Sequence, residues 1–192
     1  MIFISRAIVL LHEIYGINDF MMEQSEYFEK AGFTVYCPNL LKRPAFSYQE
    51  AEQAYDYYYS QDYSKMTSYI FEYIEQLSKL HEQLFVLGYS GGGTLAWLCS
   101  GKVECSGVIA CYGSRIRDHL QIVPKCETLL LFAQETTFSV EKLVTELGEK
   151  QNTIVQLFEA DHGFLDPFSS NYIQDMTEKA QTEILEFFNS VV

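Results

Sequence analysis

Short, continuously apolar runs alternate along this chain with longer stretches in which apolar residues recur every three or four positions. The runs fall at 7–11, 33–37, 84–87, 107–111, 128–133 and 154–158. Several are continuously apolar rather than alternating, which is expected of strands covered on both faces in a parallel sheet. Helical periodicity fills the intervals at 19–31, 48–59, 63–79, 92–99, 140–150 and 171–189. In the last stretch Ile173, Met176, Ala180, Ile184, Phe187 and Phe188 form one apolar stripe, with Asn171 or a close neighbour as the expected cap. Alternating strands and helices joined by right-handed crossovers predict an α/β fold, a doubly wound and mostly parallel sheet of about six strands flanked by helices. No repeat, low-complexity stretch or linker interrupts it, so residues 1–192 read as one domain.

In such sheets ligands sit beyond the carboxyl ends of the strands. This confines candidate chemistry to a few segments: 13–16, 39–43, 89–91, 112–113, 134–138 and 161–163. Within them, Gly88-Tyr89-Ser90-Gly91-Gly92 matches G-x-S-x-G directly after an expected strand and at the start of an expected helix. A serine at so tight a strand-to-helix turn needs small neighbours, and the turn lifts its hydroxyl clear of the sheet. The Gly91 N–H and the following helix N-terminus then face developing negative charge. No P-loop lysine follows, and G-x-G-x-x-G is absent, which speaks against a nucleotide site.

A serine hydroxyl is a weak nucleophile without a base. Of the four histidines, His162 follows the last expected strand in the turn Ala160-Asp161-His162-Gly163-Phe164, where the chain order Ser…acid…His places the base. His12 falls at the end of the first strand, and His81 and His119 fall on helical or connecting surface. A second oxyanion donor is expected from the loop after the first strand, at the N–H of Ile14.

Composition adjusts this picture only modestly. Apolar residues make up 48% and charged residues 20% of 192, the ordinary globular range. Aromatics reach 15%, with 14 Tyr and 14 Phe, enough to line a pocket as well as a core. The net charge of −13 repels phosphate backbones and anionic headgroups, which argues against nucleic acid and membrane partners. The N-terminal residues lack a basic region and a small-residue cleavage site, so they do not read as a signal peptide. No apolar run approaches the roughly 20 residues of a membrane span. Cys37, Cys99, Cys105, Cys111 and Cys126 are scattered and mostly in apolar segments, as reduced thiols of a cytoplasmic protein would be, without metal-ligand spacing.

Taken together, His12-Glu13-Ile14-Tyr15-Gly16-Ile17-Asn18, Cys37-Pro38-Asn39-Leu40, the Gly-Tyr-Ser-Gly-Gly elbow, Ala110-Cys111-Tyr112-Gly113 and Ala160-Asp161-His162-Gly163-Phe164 resemble, in order and spacing, the dienelactone hydrolase family of α/β-hydrolases. The resemblance covers nearly the whole chain, without the strands that usually precede the position of Met1. It implies hydrolysis of an ester or lactone without cofactor. The leading reading is a serine hydrolase of a small ester, thioester or lactone with no metal, a monomer or homodimer, the sequence not distinguishing the two. Ser90 occupies the nucleophile position, which is cysteine in dienelactone hydrolase itself, and His162 matches the family histidine. Glu13 matches a glutamate that helps activate the nucleophile, and Arg43 an arginine that holds a substrate carboxylate. Bland alternatives stand beside these roles. Glu13 would position Ser90, orient substrate or merely pair with Arg43, and Arg43 would equally be an exposed loop cation. The Tyr57-Tyr58-Tyr59 run would either line a pocket or pack one face of a helix.

Two departures from the family pattern matter. Thr136 stands where the triad aspartate is expected, and its neighbour Glu135 substitutes only if the loop shifts. Without any acid the imidazole is free to take the wrong tautomer, at a cost on the order of 10⁴ in rate. Asp166 stands where dienelactone hydrolase carries a further substrate-binding arginine, and an anion there repels a carboxylated substrate. Both departures leave open a rival reading as a non-catalytic ligand-binding protein of the same fold; a flavodoxin-like nucleotide binder fits the strand pattern but not the glycine-rich loop.

Overall fold

The computed structural model describes residues 5–191; the first four residues of the stretch read above as lacking a signal peptide lie outside the described residues. Six strands form one sheet: β1 (Arg6–Leu11), β2 (Thr34–Tyr36), β3 (Gln83–Tyr89), β4 (Gly107–Cys111), β5 (Glu127–Gln134) and β6 (Thr153–Asp161). Their order is β2-β1-β3-β4-β5-β6 and every neighbouring pair is parallel. The six helices are α1 (Asp19–Lys30), α2 (Ala51–Ser60), α3 (Tyr63–Leu77), α4 (Gly91–Ser100), α5 (Val140–Gly148) and α6 (Gln174–Ser190).

The continuous apolar runs are explained by two cores, one on each face. Alternate residues of a strand point to opposite faces, so Ala7, Val9 and Leu11 pack with Tyr58, Ile70, Trp97 and Leu143 of α2, α3, α4 and α5. Ile8 and Leu10 pack on the other side with Phe20, Phe28, Ile184 and Phe188 of α1 and α6. A parallel strand covered on both faces has no position left for a polar residue.

Helix starts follow local chemistry. Asn18 caps α1 through its side chain to the Met21 N–H, Asp62 caps α3 to that of Lys65, and Ser139 caps α5 to that of Lys142. The final helix departs from expectation. It begins at Gln174 rather than near 171, its cap is Ile173 without a side-chain bond, and the Asn171 amide instead donates to the His162 carbonyl at 2.8 Å. The stretch expected as one helix over 48–59 is a 3-10 turn at Tyr48–Glu50 followed by α2. Tyr58 of α2 is fully buried in the core, and Tyr57 reaches the Leu41 carbonyl. None of the three lines the cleft described below; helix packing accounts for Tyr57 and Tyr58, while Tyr59 lines a separate cavity with Tyr63, Arg115, Asp118 and His119.

Candidate active site

The carboxyl ends of β1, β3, β4, β5 and β6 lie side by side along one edge of the sheet, and each delivers one residue type to the same place. Ser90 follows β3 at φ 52° and ψ −113°, a combination outside the favoured regions for an L-residue. The surrounding packing enforces it. A Cβ at Gly88 would stand 2.0 Å from the Gly92 carbonyl oxygen, and one at Gly92 would stand 2.2 Å from that of Leu11. Only bare backbones let α4 start this close to β3 and β1. The Ser90 N–H is anchored to the Cys111 carbonyl at 2.9 Å and the Ser90 carbonyl accepts from Thr94 at 3.0 Å. The hydroxyl is thus left as the free end of a fixed residue.

His162 arrives from β6, and Glu135 from β5. The imidazole Nε2 lies 2.9 Å from Ser90 Oγ, and Nδ1 lies 2.7 Å from Glu135 Oε1. With Nδ1–H donating to the carboxylate, Nε2 presents its lone pair to the serine hydroxyl. A local irregularity makes this contact. Between the pairs Phe132↔Leu157 and Gln134↔Asp161, four steps of β6 run against two of β5, so the bulged strand re-aims its end toward the β5 loop. Glu135 is partly buried while Thr136 is exposed. The ring of His162 rests on Tyr112, with centroids 4.9 Å apart.

Beside these residues opens a cleft of about 520 Å³ lined in part by Glu13, Ile14, Tyr15, Tyr48, Asp166 and Phe168. Ile14 belongs to no helix or strand, and among the described residues neither its N–H nor that of Gly91 is spent on a turn or loop carbonyl. The loop carrying Ile14 is held by His12. The His12 Nδ1–H donates to the Glu13 carbonyl at 2.6 Å, and Nε2 accepts from the Leu40 N–H at 3.0 Å. Burial pushes His12 down to about 4, so it serves as a neutral structural clamp.

Glu13 is 6% exposed. Burial, with Asp166 nearby adding to it and His162 opposing it, pushes the carboxyl up to about 7. The buried Tyr112 hydroxyl approaches it without reaching hydrogen-bonding geometry. Asp166 is 1% exposed; it accepts from the Tyr48 hydroxyl, and its Oδ1 accepts from the Phe168 N–H at 2.9 Å. Tyr48 in turn accepts from Asn18 Nδ2 at 2.9 Å.

Arg43 departs from the role the resemblance implies and sits as a half-buried loop cation, nearer to the alternative reading. Its guanidinium stacks 3.6 Å over the Phe46 ring, its Nε donates to the Pro44 carbonyl, and it neither pairs with Glu13 nor lines the cleft. The adjacent aromatic ring holds the cation more closely than any carboxylate does. Tyr15 lies within the 13–16 segment singled out from the sequence, which gave it no role, and sequence reasoning missed Tyr48 and Phe168. Phe168 lies beyond the 161–163 segment, and Tyr48 has no local signal, because only its long-range bond to Asp166 brings it to the cleft.

Residues 4–192 match the Dienelactone hydrolase family. A protein of Bacillus subtilis (strain 168) named YczH, described as uncharacterized, is 38% identical over 167 residues, covering 84% of this chain and 82% of that protein. The carboxymethylenebutenolidase of Pseudomonas putida is 27% identical over 199 residues, covering 94% of this chain and 84% of that enzyme. Among solved structures, a putative dienelactone hydrolase from Klebsiella pneumoniae superposes with a TM-score of 0.75 at 13% identity, over 97% of this chain and 88% of that one. A dienelactone hydrolase-like promiscuous phosphotriesterase from metagenomic libraries gives 0.74 at 15%, over 98% and 87%. The match over almost the full length, on an α/β-hydrolase sheet, makes the chain a member of the dienelactone hydrolase family and hence a hydrolase by kinship.

Proposed function

We propose that the protein is a serine hydrolase that cleaves a small ester, thioester or lactone through an acyl-enzyme on Ser90. The observation that carries this reading is the unbroken hydrogen-bonded line from Glu135 through His162 to Ser90 Oγ. Ser90 attacks the carbonyl carbon while Nε2 takes the hydroxyl proton, and the imidazolium is stabilised by Glu135. The N–H groups of Gly91 and Ile14 receive the oxyanion. The proton then passes from Nε2 to the departing alcohol or thiol as the carbon–heteroatom bond breaks. Water, deprotonated by the same nitrogen, releases the acid and restores Ser90. No cofactor enters this sequence.

Glu13 takes a different part here from the one the resemblance implies. A hydroxyl is far less acidic than a thiol, whose pKa is near ~8.5, so His162 is the base and Glu13 shapes the cleft. Glu135 also supplies the acceptor whose loss at position 136 favoured a purely ligand-binding protein.

The test is labelling by a fluorophosphonate probe together with turnover of a short-chain p-nitrophenyl ester. Wild type is expected to do both, and Ser90→Ala neither. Equal behaviour of the two proteins in both assays refutes the reading.

A further inference from the structure

The charge of the cleft is one-sided. Glu13 and Asp166 are both carboxylates at its floor, and no lysine or arginine lines it among the described residues. Asp166 has its oxygens held by Tyr48 and the Phe168 N–H, donors that fix a carboxylate in place without neutralising it. Glu13 has more than nine-tenths of its surface buried and lines the cleft, and its nearest donor, the Tyr112 hydroxyl, stops short of hydrogen-bonding geometry. A buried carboxylate without a partner is costly; Glu13 relieves the cost by holding a proton more readily, and a bound cation would relieve it in the proton's place.

The walls indicate which kind of cation. Tyr15 and Tyr48 meet with centroids 4.7 Å apart at 48°, forming an aromatic corner, and Phe168 lines the same space. Electron-rich ring faces next to carboxylates recognise alkylated ammonium groups, which are too bulky and poorly hydrated to demand a full set of acceptors. A carboxylated or phosphorylated substrate meets only like charge.

We propose that the substrate is an ester or thioester bearing a quaternary ammonium group, seated between the Tyr15–Tyr48 corner and the Glu13 and Asp166 carboxylates while its carbonyl lies at Ser90. The inference rests on the cleft reading of the preceding section, and binding separates it from catalysis.

Three thioacetates of similar size provide the test: acetylthiocholine, its neutral tert-butyl isostere 3,3-dimethylbutyl thioacetate, and anionic 3-(acetylthio)propanoate. Affinities are measured by calorimetry on Ser90→Ala at pH 8.5, so that nothing turns over and Glu13, raised to about 7, is ionised. The cation is expected to bind at least about tenfold more tightly than the neutral isostere, the anion correspondingly more weakly. Adding Asp166→Asn or Glu13→Gln to Ser90→Ala is expected to cut the cation's advantage about threefold or more, with the neutral compound as internal reference. Raising ionic strength about tenfold is expected to weaken the cation alone, a measurement that needs no further substitution if a variant fails to fold. Equal affinities for cation and neutral isostere, no measurable binding of any of the three, or an advantage that neither substitution nor salt reduces would overturn the proposal. Hydrolysis of the neutral thioester by protein with Ser90 intact, compared with Ser90→Ala, judges the hydrolase reading separately.

Discussion

His162 needs an acceptor for its Nδ1 proton, and two neighbouring residues of the β5 loop compete for that place. Glu135 lies at 2.7 Å, partly buried, whereas Thr136 is exposed. On the proposed mechanism a carboxylate here does two things: it fixes the tautomer that leaves Nε2 basic, and it stabilises the imidazolium formed during attack. Glu135→Gln keeps the size but offers an amide that serves either tautomer. On the proposed mechanism, kcat with a p-nitrophenyl ester should fall about 10³- to 10⁴-fold while fluorophosphonate labelling slows in parallel. Thr136→Ala should leave both within about twofold, since it removes an exposed side chain. A drop of similar size in both variants would point to loop distortion rather than to loss of the acceptor. Motif alignment alone favoured position 136, because residue spacing counts along the chain and carries no information about a bulge in the partner strand. The two extra residues of β6 decide which side chain meets the ring. Arg43 shows the converse. Its placement in the motif was legible, but its direction is set by the Phe46 ring and the Pro44 carbonyl, contacts that depend on the path of the loop.

At the scale of elements, the elbow is a close approach of three backbones: the end of β1, the end of β3 and the first turn of α4. Gly92 is where they meet, with a Cβ there 2.2 Å from the Leu11 oxygen and 2.6 Å from the His12 oxygen. Neither of those carbonyls belongs to a flexible side chain, so a methyl group must push α4 away from β1. Gly92→Ala is expected to lower unfolding free energy by at least about 2 kcal/mol in urea titrations and to separate Ser90 from His162, abolishing labelling even below the melting temperature. Stability within experimental error of wild type would show that the approach is less constrained than the contacts indicate. Most of this element-scale order was legible. Six apolar runs became six parallel strands, and G-x-S-x-G became the strand-to-helix turn, because both signals are local and each is enforced by its neighbours on two faces. Less legible was the region after β6. Asn171 sits three residues before α6 and bonds to the His162 carbonyl, tying the histidine turn instead of capping a helix. A polar residue ahead of an apolar stripe suits either task, and only the turn geometry chooses.

For the whole molecule, the adjacent buried pair His12 and Glu13 makes a specific claim about pH. His12 is pushed down to about 4 from an ordinary 6.5, so the native state binds its proton less readily than the unfolded chain does. Its contribution to stability is intact above about 6.5 and is lost as pH falls toward 4, in total about 3 kcal/mol. Glu13 runs the other way. Raised to about 7 from 4.5, it is protonated more readily in the native state, so its contribution grows as pH falls from 7 to 4.5, by a similar amount. Between pH 4.5 and 6.5 the two slopes oppose each other. Background effects, including the decline of a −13 charge toward neutrality near the pI of 4.6, are common to wild type and variants and cancel in the differences. Glu13→Gln should therefore lose stability relative to wild type on acidification from pH 7 to 4.5, by about 3 kcal/mol. His12→Asn should gain relative to wild type over pH 6.5 to 4, whatever fixed cost the substitution imposes at neutral pH. Parallel pH profiles for wild type and both variants, measured by urea unfolding, would mean that neither group titrates differently on folding. The opposition also lets the fold tolerate a buried carboxylate in the cleft it shares with Ser90: over the mildly acidic range, the proton Glu13 gains on folding offsets the one His12 refuses, and the cleft keeps its buried acid without making the protein acutely sensitive to acid.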